Sequence, residues 1–308
     1  MLITLKPLTT EAALNACACV PTNMLTFYDS YMYSPVYMLF TGRNGAWVYQ
    51  NKEITNFVLS HPNQDNALVI LPAFDVHNGK LYSNISQNIA MNVDNSNTDI
   101  SLGRFPMLEQ NTIDTTKFIL VSENLLDWKY PTRILSTNDV YNLRGKNFQQ
   151  IRQRLNQLNK TILHSKDIQI NKDKTELLNV VYEWANNHNS DKYNYDDLTS
   201  PYRKLLELMS NKNLNLYGKK ILLNGQIKSF CIYEIVNKTI ANEFAISADK
   251  NIPGLSEYQI YEMCKTLHDK GIKYVNLGGS ETEGLDRFKK KFAPVISHYL
   301  QTYKIKSL

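Results

Sequence analysis

The stretch LYGKKILLNGQIKSFCIYEIVNKTIANEFAISAD, residues 216–249, constrains the fold of this chain more than any other segment. Its β-branched and aromatic runs, ILL, IKSFCIYEIV and IANEFAIS, are separated by Asn224-Gly225 and by Asn237-Lys238. An Asn-Gly pair between two such runs is a strong hairpin signal, because a two-residue type I′ turn needs φ > 0 at both central positions. Three antiparallel strands are therefore expected. The next segment, SEYQIYEMCKTLHDKG, reads as a helix with Ser256 at its N-cap and Gly271 at its end. It leads into the short strand IKYVN and the glycine pair Gly278-Gly279.

Two helices precede the meander. In KNFQQIRQRLNQLNKTIL, residues Phe148, Ile151, Leu155, Leu158 and Ile162 recur at spacings of 3, 4, 3 and 4, one face of an α-helix. TELLNVVYEWANNH repeats the pattern with Leu177, Leu178, Val181, Trp184 and Ala185. The segment SHYLQTYKI reads as a final strand. In the first half the runs VYMLF, GAWVYQ, ITNFVLS, ALVILPAF and KFILVS read as strands, and the polar stretch from Ser83 to Ser101 as a surface helix with a loop. At 308 residues the chain exceeds what one core serves well, and two domains are expected, 1–139 and 140–308.

A strand meander followed by a helix that crosses to another strand resembles the element order of the GNAT acyltransferase fold. That resemblance implies an α/β class with mixed (α+β) sheets, in which the fourth and fifth strands splay and leave a cleft for an acyl donor. Strand order and length suggest a tandem of GNAT-like domains, the first a degenerate copy acting as scaffold or acceptor side. No internal sequence repeat supports the duplication.

The net charge of +5 conceals an asymmetry. Residues 1–139 hold 8 basic and 12 acidic side chains, and residues 140–308 hold 26 and 17. A functional anion is expected to meet the second half. Composition, 43% hydrophobic and 20% charged, excludes a disordered or collagen-like chain. No apolar run is long enough to span a membrane and the start does not read as a signal peptide, so a cytoplasmic protein is expected. Cys17, Cys19, Cys231 and Cys264 are too scattered for a disulfide framework or a zinc site, and the six histidines form no ligand pattern, so no metal is expected.

Two segments carry the chemistry. Residues 144–174 hold 8 basic and 2 acidic side chains, and on the helix Arg152, Asn156 and Asn159 share one polar stripe. Such a stripe is ordinarily a solvated face; with Arg152, whose planar fork grips two oxygens, it also suits a phosphate. Leu143, Gly145, Lys146, Phe148, Arg152 and Asn156 resemble the phosphatidylglycerol lysyltransferase C-terminal family, with departures at Ile151, Gln153 and Arg154. The second segment, YVNLGGSETEGLDRFKKKFAP, is similar to the same family and to Fem-type peptidyltransferases through Asn276, Gly278, Gly279, Gly284, Leu285, Phe288, Lys289, Phe292 and Pro294. Glycines after a strand let backbone approach a ligand and turn N–H groups toward an anion.

The resemblance, over about residues 135–305, implies transfer of an aminoacyl group from aminoacyl-tRNA to an amine or hydroxyl of a soluble small molecule or peptide. No permanently bound cofactor is implied. The sequence agrees on one point: where CoA-dependent relatives carry a glycine-rich pyrophosphate loop, this chain has SADKNIPGLSEYQ, with Gly254 alone and an acidic Asp249. The acceptor end of tRNA is instead expected to meet Arg144, Lys146, Arg152, Arg154, Asn156, Gly278, Gly279, Ser280, Arg287, Phe288, Lys290 and Lys291. An aminoacyl ester is already activated, so the site needs proximity, a proton acceptor and an oxyanion stabiliser rather than a nucleophile. Lys289, with N–H groups around Gly278 and Gly279, is the oxyanion candidate, and Asn276 stands beside them. Glu243 is the candidate base, with Asp249, Glu281 and Glu283 behind it. Tyr258 and Tyr261 are candidates for the acyl pocket or for core. Two other readings stay open: an acyltransferase using acyl-CoA or acyl carrier protein, and a GNAT-like binding module without chemistry.

Overall fold

The computed structural model describes residues 5–18, 29–61, 64–93, 98–106, 112–121, 128–158, 163–188 and 195–306. Cys19, Asn159 and Ile162 lie outside them. The chain divides into two compact units. One is Met1–Thr132 with Gly279–Asp286 and Ser297–Leu308, the other Arg133–Gly278 with Arg287–Ile296.

The first unit runs β1 (Lys6–Pro7), α1 (Thr10–Cys17), α2 (Pro35–Thr41), β2 (Ala46–Gln50), β3 (Ile54–Ser60), β4 (Ala67–Ile70), β5 (Ala73–Asp75), β6 (Leu81–Tyr82), α3 (Ser83–Asn92), β7 (Asp99–Pro106) and β8 (Phe118–Val121). The segment VYMLF, expected as a strand, is helical. Ser34 caps it, its Oγ accepting from the Tyr37 N–H at 2.8 Å, and Pro35 sits in the first turn, where its fixed φ favours a helix. Capping chemistry outweighs the β-propensity of Val36, Tyr37 and Phe40. β4 and β7 pair in parallel from Ala67↔Asp99 to Ile70↔Leu102. Around them Val58, Ile70, Ile89, Ile100, Leu102, Phe105 and Phe118 form a buried core.

The second unit holds β9 (Thr132–Ser136), α4 (Thr137–Asn142), α5 (Gln149–Leu158), β10 (Leu163–Asp167), α6 (Ile170–His188), α7 (Tyr195–Leu208), β11 (Leu216–Leu223), β12 (Gln226–Ile235), β13 (Ile240–Ala248), α8 (Leu255–Asp269), β14 (Tyr274–Asn276), α9 (Glu283–Lys290) and β15 (Ile296–His298), in part shared with the first. Its sheet order is β10-β11-β12-β13-β14-β9-β15. The β11–β12 hairpin turns on Asn224 (φ 52°) and Gly225 (φ 83°), the type I′ geometry its dipeptide predicts. α5 buries Ile151, Leu155 and Leu158, at roughly 2 kcal/mol each, which outweighs the indifferent propensity of its polar face.

Three expectations need correction. The N-cap of α8 is Gly254 at φ 89°, without a side-chain cap bond, and Ser256 lies inside the helix. A Cβ at Gly254 would meet Arg154 and Leu158 of α5, so close packing there selects glycine. The division differs from a single cut at 139: β9 pairs antiparallel with β14, placing residues 133–139 in the second unit. The last strand, β16 (Leu300–Ile305), pairs with β7 and β8 in the first unit's sheet. Residues 286–306, with six basic side chains and one acidic, are therefore divided between the units, and Lys304 pairs with Asp99 at 2.8 Å.

One pattern recurs. In the second unit β13 and β14 pair in parallel over Ile240↔Tyr274 to Asn242↔Asn276, then part, while β13 runs on to Ala248 beside β12. A Leu-Gly dipeptide stands at the end of each parallel pair, offset by one residue: Leu102 is the last paired residue of β7 and Gly103 follows it, whereas Leu277-Gly278 follows Asn276, the last of β14. In the first unit β7 instead runs on as strand through Gly103 and Arg104 to Pro106, with an irregularity in its register against β16. Arg104 is buried at φ 61°, paired with Asp29 at 3.4 Å and stacked 3.5 Å from the centre of the Trp128 ring.

Candidate active site

The vertex where β13 and β14 part is built from buried polar groups. Glu234, Asn242 and Asn276 stand opposite one another on three adjacent strands, and each is at most 2% exposed. Directly opposed side chains lie about 5 Å apart, so the three form one row across the sheet. Glu243 is the first residue of β13 beyond the last parallel pair, buried and opposite Tyr233 at an irregularity in the β12–β13 register. Burial pushes the Cys231 thiol up to about 12, and the charge of Glu243 adds to the effect. Burial also pushes the Tyr233 phenol well above its ordinary value.

The turn after β14 is held from within. Gly278 has φ 68°, the left-handed region that favours glycine, and its N–H donates to Asn276 Oδ1 at 2.9 Å. Lys289, buried on α9, donates from Nζ to the carbonyls of Leu277 at 2.6 Å and Gly278 at 3.3 Å. Of the expected oxyanion donors, the Gly278 N–H is thus already bonded, and the Lys289 ammonium is directed at backbone. In the first unit, a Cβ on Gly279 would stand 2.7 Å from the Tyr130 carbonyl oxygen and 2.8 Å from Trp128 Cβ. Ser280, fully buried, bridges to Tyr130, and its carbonyl accepts from the Lys129 and Tyr130 N–H groups.

The Arg152 motif has a local structural role. Its Nη1 donates to the carbonyls of Leu143 and Gly145, the latter at 2.8 Å. Leu143 (φ 50°) and Gly145 (φ 85°) are both left-handed, so the three residues form one clamped loop between α4 and α5. Nη1 of Arg152 is therefore committed to backbone. Arg144, Lys146, Arg154 and Asn156 are exposed, and Arg154 lies beside Gly254 at the start of α8.

The remaining candidates disperse. Arg287 and Lys290 are exposed on α9, whereas Phe288 packs into the core with its ring centre 5.7 Å from that of Phe292. Tyr258 and Tyr261 stack at 6.5 Å and pack against the core under α8; burial, with the neighbouring Glu262 charge, pushes the Tyr258 phenol up to about 12. Asp249 pairs with Lys228 at 3.7 Å, Glu283 is exposed in the first turn of α9, and Glu281 is half-buried ahead of that helix. Sequence reasoning missed Glu234 and Asn242. Their signal was a polar residue inside each of the runs IYEIV and IANEF, where a central strand otherwise expects apolar side chains.

A family profile described as phosphatidylglycerol lysyltransferase, C-terminal, matches residues 132–304. No curated protein matches the sequence. Among solved structures, a conserved protein of unknown function from Bacteroides thetaiotaomicron superposes with a TM-score of 0.75 at 20% identity, covering 99% of this chain and 100% of that one. The L-PGS of Bacillus licheniformis gives 0.63 at 12% identity, over 97% of this chain and 92% of its own. FemX gives 0.57 at 11%, over 98% and 97%. A tandem GNAT protein from the clavulanic acid biosynthesis pathway gives 0.55 at 10%, over 99% of both chains. At these identities the likenesses establish the fold, a tandem of GNAT-like units.

Proposed function

We infer, from the premise that the chain belongs to the phosphatidylglycerol lysyltransferase C-terminal family, that it transfers an aminoacyl group from aminoacyl-tRNA to an amine of a soluble small molecule or peptide. The observation that carries this reading is the parted β13–β14 pair, with Glu243, Asn276 and the Lys289-held glycine turn at its vertex, inside the matched residues. In the first unit the strand after the parallel pair runs on unbroken, with Arg104 buried in it, which supports assigning the donor to the second unit.

In this reading the acceptor's ammonium gives up a proton, with Glu243 the candidate acceptor for it, and the amine nitrogen attacks the ester carbonyl. The C–N bond forms, the tetrahedral oxyanion collapses, and the C–O bond to the ribose breaks. The attacking nitrogen still carries a surplus proton, which passes to the ribose oxygen as it leaves, and the proton first taken by Glu243 returns to solvent. Lys289 acts by holding the turn and lending its charge to the developing oxyanion; Asn276 fixes the same turn through Gly278. Among the described residues no helix is long and apolar enough to cross a membrane.

The test is to incubate the protein with radiolabelled aminoacyl-tRNA and a pool of small amines. Loss of label from tRNA faster than spontaneous hydrolysis, with label appearing in an amide, supports the reading. Loss no faster than hydrolysis with every amine refutes it.

A further inference from the structure

The row Glu234, Asn242 and Asn276 crosses neighbouring strands of the second unit. Glu234 of β12 stands opposite Asn242 of β13 in an antiparallel pair, and Asn242 opposite Asn276 of β14 in a parallel one. Side chains alternate between the faces of a strand, so the neighbours of each residue settle the face of the row. Cys231, Tyr233, Ala241 and Val275 pack into one core with Ile260 and Met263 of α8. The row therefore lies on the other face of the sheet, away from Glu243, which shares its face with Tyr233. Its three side chains are at most 2% exposed, so their polar atoms must be met inside the protein.

Donor and acceptor chemistry gives the row a direction. A carboxamide has an accepting oxygen and a donating nitrogen, whereas a carboxylate only accepts. The Gly278 N–H donates to Asn276 Oδ1 at 2.9 Å, which leaves Asn276 Nδ2 to donate. The adjacent member of the row is Asn242, and carboxamides in register on parallel strands form such ladders. With its oxygen turned to Asn276, Asn242 has Nδ2 to donate, and on its other flank stands the acceptor-only Glu234. Every link then runs the same way, and a flip of either carboxamide would set like atoms against each other.

We propose that Glu234 is the fixed end of a directed hydrogen-bond chain, from the Gly278 N–H through Asn276 and Asn242 to its carboxylate, and is a positioning residue for the turn after β14. Hydrogen bonds in series polarise one another, so the carboxylate is felt at the turn through both carboxamides. Lys289 Nζ grips the same turn by the carbonyls of Leu277 and Gly278. The turn is thus held on its carbonyl side by an ammonium and on its N–H side by a carboxylate at one remove. The role in transfer rests on the acyl-transfer reading of the vertex; the chain itself does not.

The experiment moves the carboxylate along the row. Glu234→Gln removes the acceptor-only end, Asn242→Asp sets two carboxylates side by side, and the double variant has a single carboxylate, at 242, to which both neighbours can donate. The thermal midpoint is expected to fall by about 10 °C in Asn242→Asp, with more than half of that recovered in the double variant. Hydrogen exchange at the Gly278 amide, read by NMR, is expected to be about tenfold faster in Glu234→Gln and within about threefold of wild type in the double variant. In the aminoacyl-tRNA assay kcat should follow the amide while KM stays within about twofold. A double variant no more stable than Asn242→Asp, or a Gly278 amide unchanged in Glu234→Gln, refutes the chain. If Asn242→Asp does not fold, a folded double variant is the rescue, and one that also fails to fold refutes the chain. An amide that loosens in Glu234→Gln with kcat unchanged refutes the positioning role. Absence of turnover in the wild type refutes the acyl-transfer reading alone, and the midpoint and the amide still decide the chain.

Discussion

Replacing Lys289 by methionine separates two roles for its ammonium. Methionine keeps most of the apolar stem and removes the charge. In the folded protein Nζ serves two backbone carbonyls, Leu277 at 2.6 Å and Gly278 at 3.3 Å, in a buried setting. A hydrogen bond from a charged group contributes about 1.5–3 kcal/mol, and the longer of these two belongs at or below the lower end. Their loss leaves two buried acceptors unmet, while removing the cost of burying an ammonium offsets part of the effect. The expected net loss is about 2–4 kcal/mol. Urea unfolding followed by circular dichroism checks it, with transfer activity measured on the same preparation below the transition. A stability within about 0.5 kcal/mol of wild type, with activity abolished, would refute the turn-holding role and leave the ammonium acting on substrate alone.

Asn276→Ala removes the acceptor of the Gly278 N–H at 2.9 Å in a fully buried place, and about 1–2 kcal/mol of stability should go with it on thermal unfolding. Gly279→Ala sets a methyl 2.7 Å from the Tyr130 carbonyl oxygen; backbone must shift, a cost of about 1–3 kcal/mol that denaturation can read. His61 and His298 both have pKa values lowered, chiefly by burial. Their neutral forms are favoured on folding, so the stability they contribute is present above their unfolded value of about 6.5 and is lost as pH falls below it. A His298→Gln variant should show a shallower acid loss in the same unfolding series, and an unchanged slope would sink the assignment. Cys231, pushed up to about 12 by burial, and Cys264, buried as well, should resist alkylation at pH 8 until urea unfolds the chain.

Local chemistry determined much of this protein directly from its sequence. Asn224-Gly225 dictates the hairpin because few dipeptides tolerate two successive positive φ values. The spacing of Ile151, Leu155 and Leu158 dictates α5 because only one face of a helix can be buried. The family was legible for a related reason: the Leu143, Gly145 and Arg152 spacing is that of one clamped loop, and the turn after β14 needs its glycine. Tertiary structure decided what spacing cannot express. The placement of β9 beside β14, and of β16 in the other unit's sheet, depends on pairing between strands more than 100 residues apart, on which local propensity is silent. The pairing of β12, β13 and β14 aligns Glu234, Asn242 and Asn276 in one buried row, and folding alone turns Lys289 toward backbone. Sequence located the segments that carry the chemistry; register and packing decided which of their side chains meet at the vertex and which instead hold it in shape.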